Sequence, residues 1–286
     1  MEFMMNRRRN WFMAAALGAA LYVGLPAAEE RRVVTLGGPA TEITFALGAG
    51  GEVVATDASS LYPEEAQALP RVGYVAAVGA EGLLGQNPDL ILATSRFGPP
   101  AVVEQIEASG VPLVIVESPH DVDSLEKAIR EIGAALERRE AAARLWQRIR
   151  ADLRTARAKA ATAGKPTAVF ILGNAGSAMA AGRDTQAAGM LHLAGGRNLF
   201  DGYTGYQPVS GEALLDAGPD FIFVGRHGGE TDADPRQRLE ALGLGALAAS
   251  TDARVHFLDL GEYLVFGPRT GQAALRLAGM FAEGND

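Results

Sequence analysis

The sequence predicts an α/β protein of two doubly wound α/β lobes joined by one long α-helix. Three features point there. Short β-branched runs alternate with helical text along most of the chain, the pattern of parallel sheets covered on both faces by helices. Residues 81–92, EGLLGQNPDLIL, return as residues 212–223, EALLDAGPDFIF, with Glu, Leu, Leu, Pro, Asp and Ile in register at an offset of 131; such an echo marks two related halves. Between the echoes, residues 121–164 contain no proline, which suits uninterrupted helix.

Residues 1–28 are a separate kind of text. Arg7, Arg8 and Arg9 precede the uncharged run NWFMAAALGAALYVGLPAA, the basic, apolar and small-residue order of a cleavable secretory signal peptide. The alternative for that run is an uncleaved anchor. The N-terminal lobe is expected over 29–137. In it RVVTLG reads as a strand, ATEITFALGAG as a helix closed by glycine, EVVATD as a strand, EGLLGQ as a helical turn and DLILAT as a strand. AVVEQIEASG is then a helix stopped at Gly110, and VPLVIVE a buried strand.

The stretch from Asp121 opens with Asp123 and Glu126 as a capping pair and divides near Leu136–Arg139 into two helices. The second is the interlobe helix, residues 138–163, with Leu145, Trp146, Ile149 and Leu153 on one stripe. The roughly 24 residues from Arg138 to Ala161 would reach about 36 Å. The C-terminal lobe, 164–286, restarts the alternation: PTAVFILG as a strand, DTQAAGMLHLAGG as a helix and RNLF as an edge element. EALLDA and DFIFVG follow as turn and strand, then RVHFLDL as a strand and GQAALRLAGMFAEG as the closing helix.

Composition narrows the function. With 48% hydrophobic and 21% charged residues the chain is globular. Its formal charge of −8 becomes −10 once residues 1–28, with three arginines and Glu2, are removed. An exported acidic protein is a poor candidate for nucleic-acid binding, which relies on basic patches to displace phosphate counterions. The absence of cysteine excludes disulfides, thiolate metal sites, cysteine catalysis and a lipid-modified N-terminal Cys. Of the 26 basic residues only Lys127, Lys159 and Lys165 are lysines, so an arginine carries no weight merely for being one.

Catalytic motifs fail on inspection. GAGGEV lacks the third glycine of a dinucleotide fingerprint, and AGKPT lacks the spacing and hydroxyl of a phosphate loop. The four histidines, at 120, 192, 227 and 256, never stand four apart as a helical metal pair. His192 and His256 read as packing or surface residues. An exported two-lobed enzyme would need an acid, base or nucleophile set between its lobes, and none is found.

VGYVAAVGAEGLLGQNPDLILATSRFGPP (72–100), AAGRDTQAAGMLHLAGGRNLFDGYTGYQPVSGEALLDAGPDFIFV (180–224) and VFGPRT (265–270) resemble the haem-binding subfamily of periplasmic substrate-binding proteins that feed ABC importers. The resemblance runs from about Arg31 to Phe281. The class, shared with cobalamin and ferric-siderophore carriers, uses one long helix between its lobes and holds ligand in the cleft. It implies a periplasmic, non-enzymatic protein that carries haem (hemin) for iron acquisition. The partner is an ABC permease dimer with its ATPase, touched only peripherally, and no nucleic acid is involved. The alternative within the class is cobalamin or a ferric siderophore; a siderophore site favours several arginines and tryptophans around the iron chelate, and the mature chain has one tryptophan, Trp146, on the linker helix.

The resemblance also assigns residues. Tyr74 stands where the haem carriers supply an axial tyrosine, whose phenolate is a hard donor suited to ferric iron. Ala76 stands where several of them carry an arginine that hydrogen-bonds the phenolate, so Arg71, Arg96 or a second-lobe arginine takes that part, or the bond is tuned differently. Met179, Arg183, Tyr206 and His227 are expected on cleft loops of the second lobe, Tyr206 as a cleft wall or as a lobe-core tyrosine. Glu81 and Glu212 match the glutamates that the class presents, one per lobe, to permease arginines. Both begin helices, where a carboxylate also meets the helix dipole.

Overall fold

The first strand, β1 (Val33–Leu36), is wholly buried and alternates its side chains between two cores. It belongs to a computed structural model that describes residues 31–95, 97–162, 164–174, 176–226, 234–250 and 254–283. From Arg31 onward the chain forms one compact unit. The leader expected over 1–28 lies outside the described residues, as do Arg96 and His227. No helix among the described residues is long and apolar enough to cross a membrane.

After β1 come α1 (Gly38–Ala46), β2 (Val53–Thr56), α2 (Glu64–Gln67), α3 (Ala80–Leu84), β3 (Leu90–Thr94), α4 (Pro100–Ser109) and β4 (Leu113–Val116). The strands form a parallel sheet in the order β2-β1-β3-β4. VPLVIVE, expected to be buried, is instead the edge strand β4, and Ile115 is 43% exposed. Its apolar text carries no information about whether a further strand pairs beyond it.

Two helices follow, α5 (Val122–Ala135) and α6 (Arg139–Thr162). The cap of α5 differs from the expected Asp123–Glu126 pair: the Asp121 carboxylate accepts the Ser124 N–H at 2.8 Å, and Ser124 Oγ accepts the Asp121 N–H at 3.1 Å. Serine is short enough to close the box in place of glutamate, so the helix starts one residue before Asp123. The break between α5 and α6 falls where expected, with Glu137 in the left-handed region at φ 58°. The 24 residues of α6 make a rod of about 36 Å.

The second sheet is assembled from β5 (Thr167–Asn174), β6 (Ser177–Ala181), α7 (Gln186–Leu193), β7 (Arg197–Asn198), β8 (Tyr206–Pro208), α8 (Gly211–Ala217) and β9 (Phe221–Arg226). The chain ends with α9 (Pro235–Ala241), α10 (Gly245–Ser250), β10 (Arg254–Asp259), α11 (Leu260–Tyr263) and α12 (Thr270–Glu283). The order is β10-β9-β5-β6-β8, with β7 also pairing β5. β10, β9 and β5 are parallel, but β6 runs antiparallel to β5 and β8 antiparallel to β6. This hairpin extension corrects the expectation of loops around Met179 and Tyr206: Met179 lies on β6 and Tyr206 opens β8.

Alternation along the buried strands explains why the lobes cohere. Val34, Ile91 and Ala93 face a core private to the first sheet, and Val169, Ile171, Ile222 and Val224 one private to the second. Val33, Leu90 and Leu92 of the first sheet and Phe170, Phe221 and Phe223 of the second belong to a single third core. Leu145, Trp146, Ile149 and Leu153 of α6 and Leu277 and Phe281 of α12 complete it. The apolar stripe of α6 is thus the bridge of a continuous core, a stiffer connection than a peptide linker alone.

Candidate functional site

In parallel α/β sheets, ligands bind beyond the carboxyl ends of the strands. At that end of the first sheet the backbone is tightly tied. Gly37, between β1 and α1, has φ 94°, and a Cβ there would fall 2.6 Å from Thr94 Oγ1. Its N–H donates to Asp57 Oδ1 at 2.8 Å. The fully buried Asp57 carboxylate also accepts the Ser59 N–H (2.8 Å) and the hydroxyls of Ser59 (2.5 Å) and Ser60 (2.6 Å). Ser60 continues through Thr41 (2.6 Å) to Thr35 (2.8 Å). Every polar group in this chain is satisfied, which makes the loop after β2 a rigid support.

That support carries Tyr74. Arg71 donates from Nη1 to the carbonyls of Asp57 (2.5 Å) and Ser60 (2.9 Å), and the Ala58 N–H donates to the Gly73 carbonyl at 2.7 Å. Val75 and Val78 are buried just beyond, and the Gly98 N–H donates to the Val75 carbonyl at 2.9 Å, adding the loop after β3. Tyr74 itself is extended at φ −94°, ψ 136°, and is 57% exposed. The result is a phenol on a fixed stem with its ring open to a ligand. Arg71 is thereby a strut beneath Tyr74, while Ala76 is exposed beside it.

The second lobe places its expected residues differently. Met179 lines a concavity of about 340 Å³ with Leu172, Gly173, Gly225 and Leu260, at the carboxyl ends of β5 and β9. Tyr206 is half-buried against the shared core; burial pushes its phenol above the ordinary value, and nearby Thr185 and the backbone of Ala187 pull it partly back. The two tyrosines that mirror each other about the sequence echo are therefore unlike, Tyr74 open and Tyr206 packed against the shared core. Arg183 bridges Thr204 and lines another concavity, of about 560 Å³, with Lys165, His192 and Arg197. Arg197 pairs with Thr167, the first residue of β5, so this concavity lies at the amino end of the sheet.

Glu81 and Glu212 are both exposed in the first turns of α3 and α8, and neither carboxylate has a partner among the described residues. The echo also has a structural use in its Pro-Asp break. Asp89 accepts the N–H of Arg32, just before β1, at 2.8 Å, and Asp220 accepts that of Thr167, at the start of β5, at 2.7 Å.

One charged pair escaped the sequence reading. Glu42 on α1, 4% exposed, accepts from Arg269 Nη2 at 2.6 Å and Nε at 3.0 Å, while Arg269 also donates to the Gly261 carbonyl at 2.6 Å. The Tyr62 ring covers the guanidinium at 3.9 Å. Burial pushes the Glu42 carboxyl upward and Arg269 pulls it back; the two-pronged geometry is that of an ionised pair. A lone acid in the apolar text ATEITFALG was the signal that it needed a partner.

The model of a family described as periplasmic binding protein matches residues 33–259. A periplasmic heme-binding protein of Roseiflexus sp. RS-1, solved in apo form, is similar at 35% identity and a TM-score of 0.80, covering 90% of this chain and 100% of that one. A periplasmic heme-binding protein of Pseudomonas aeruginosa is similar at 32% identity and a TM-score of 0.78, with 88% and 93% covered. A vitamin B12-binding protein of Yersinia pestis (strain Pestoides F) is 28% identical over 212 residues, 74% of this chain and 75% of its own length.

Proposed function

Because the chain belongs to the periplasmic binding protein family, we propose that it captures haem between its lobes and delivers it to an inner-membrane ABC permease and its ATPase. Substrate-binding transport proteins of this kind are carriers, not enzymes. The cleft-forming lobes are residues 29–137 and 164–286, with 138–163 between them, and residues 1–28 direct export to the periplasm.

The observation that carries the haem reading is the open phenol of Tyr74 on its hydrogen-bonded stem. A ligand to a metal works best when its supporting shell is fixed beforehand. Phenolate supplies a hard, anionic oxygen for ferric iron, and metal bonding favours loss of its proton. Met179 supplies apolar wall from the second lobe and Tyr206 backs the loop before α7, whereas Arg183 lies at the opposite end of the second sheet from that wall and is given no haem contact. Arg71 acts by holding the Tyr74 loop. Arg96 and His227 remain proposed ligand contacts. The similarity to two heme-binding proteins above 30% identity supports the same reading.

Cobalamin is the second reading, favoured by the 28% identity to a vitamin B12-binding protein. Absorption spectra of the chain mixed with ferric haem or with cobalamin decide between them. Haem binding gives a tyrosinate charge-transfer band that disappears in Tyr74→Phe, with dissociation faster by at least on the order of tenfold and the fold unchanged. An unaltered haem spectrum in Tyr74→Phe moves the iron elsewhere, and tight cobalamin binding without haem binding overturns the first reading.

A further inference from the structure

The charge on α6 is segregated. The chain has 34 acidic and 26 basic residues, yet this one helix carries Arg139, Arg144, Arg148, Arg150, Arg154, Arg157 and Lys159 against only Glu140 and Asp152. At 3.6 residues per turn, Arg139, Arg150, Arg154 and Arg157 fall within a sector of about 60°. All four are exposed, and none has a hydrogen bond or ion pair among the described residues. The row extends over about 27 Å.

Such a row needs a reason. Arg150 and Arg154 are four apart and Arg154 and Arg157 three apart, spacings at which like charges destabilise a helix. Glu126 of α5 shares a concavity with Arg130 and Arg139 at the amino end of the row. Along that side of the helix the other exposed positions are Glu140, Ala143, Gln147, Ala151, Ala158 and Ala161, and Glu140 is paired with Arg144. No aromatic or large aliphatic side chain stands among them to anchor a protein partner or to insert into a bilayer. A straight row of positive charges with no bulky apolar side chain among them fits a plane of phosphates.

We propose that the exposed arginine row of α6 is a reversible adsorption surface for anionic phospholipid headgroups. The acidic remainder of the molecule does not prevent this, because charges are screened beyond about 8 Å at physiological salt. Attraction at this face turns α6 toward the lipid surface. The surface is independent of the ligand carried between the lobes.

The test uses the chain from Arg31 onward, which forms a compact unit without the apolar leader. Sedimentation with vesicles of phosphatidylglycerol and phosphatidylcholine in equal parts is compared with pure phosphatidylcholine, at rising salt. Adsorption occurs only on the anionic vesicles, weakens with salt, and falls on the order of 100-fold in Arg150→Gln/Arg154→Gln/Arg157→Gln. The triple lysine variant retains most of it, and both variants keep the parent melting temperature. No adsorption at low salt, or equal adsorption by the glutamine variant, overturns the proposal. Preference for soluble polyglutamate over the vesicles also overturns it, in favour of an acidic polypeptide partner.

Discussion

Arg269 grips Glu42 from 227 residues away, joining the helix after the first strand to the segment before the last helix. The pair is desolvated on the Glu42 side, so removing the arginine strands a buried carboxylate. Arg269→Ala is expected to cost about 3–5 kcal/mol in urea unfolding. Glu42→Leu/Arg269→Met, which removes both charges, recovers most of that loss. Equal instability in the single and double variants would show that packing around Tyr62 matters more than the charges.

The echoed aspartates supply a second expectation. Asp220 accepts both the N–H and the hydroxyl of Thr167, which hold its carboxyl below the usual carboxylate range. A lowered folded value means stability that is present above the unfolded value and lost as pH falls through the folded one. Asp220→Ala therefore costs about 1 kcal/mol at neutral pH, and the difference from the parent shrinks below about pH 4. Denaturation midpoints across that range check it; a difference independent of pH would exclude the ionised carboxylate as the cause.

The echo was legible because it is short-range text written twice, and its aspartates do the same work at Arg32 and Thr167. The alternation that marks β1, β3, β5 and β9 was legible for a similar reason, since each buried strand faces two apolar cores. Ser177–Ala181 was not, because an alanine-rich run has neither β-branching nor alternation, and its pairing with β5 is a tertiary choice. The partner of Glu42 lies too far along the chain for any periodicity to reveal. At the site, residue type pointed to Tyr74 only through family resemblance. The difference between open Tyr74 and packed Tyr206 arises from burial by tertiary neighbours that spacing does not specify.

His256 is the pH-sensitive group of the second sheet. Its ring stacks near Phe221 and Phe223, with centroids 6.1 and 5.7 Å away, and its buried Nε2 has no hydrogen-bond partner among the described residues. Burial, followed by the charge of Arg254, pushes its pKa below the ordinary value. The unfolded chain then takes up a proton before the folded one, so stability falls as pH drops below about 6.5. Melting temperatures between neutral pH and the onset of carboxylate titration should fall more steeply in the parent than in His256→Phe. Parallel curves would remove His256 from the account.

Glu81 and Glu212 test whether the echo serves a partner as well as the fold. Both carboxylates are exposed and unpartnered among the described residues, each on the first turn of its helix. A helix-start acid gains about 0.3–1 kcal/mol from the dipole, so capping alone predicts a small loss of stability on charge reversal and nothing else. Docking to permease arginines predicts the opposite balance: Glu81→Arg and Glu212→Arg leave ligand affinity intact and change melting little, while each lowers transport in a reconstituted system by at least about tenfold through like-charge contact. The double variant distinguishes the two, because docking at both lobes makes it nearly inactive, whereas normal transport would reduce the repeated glutamate to a feature of the helix.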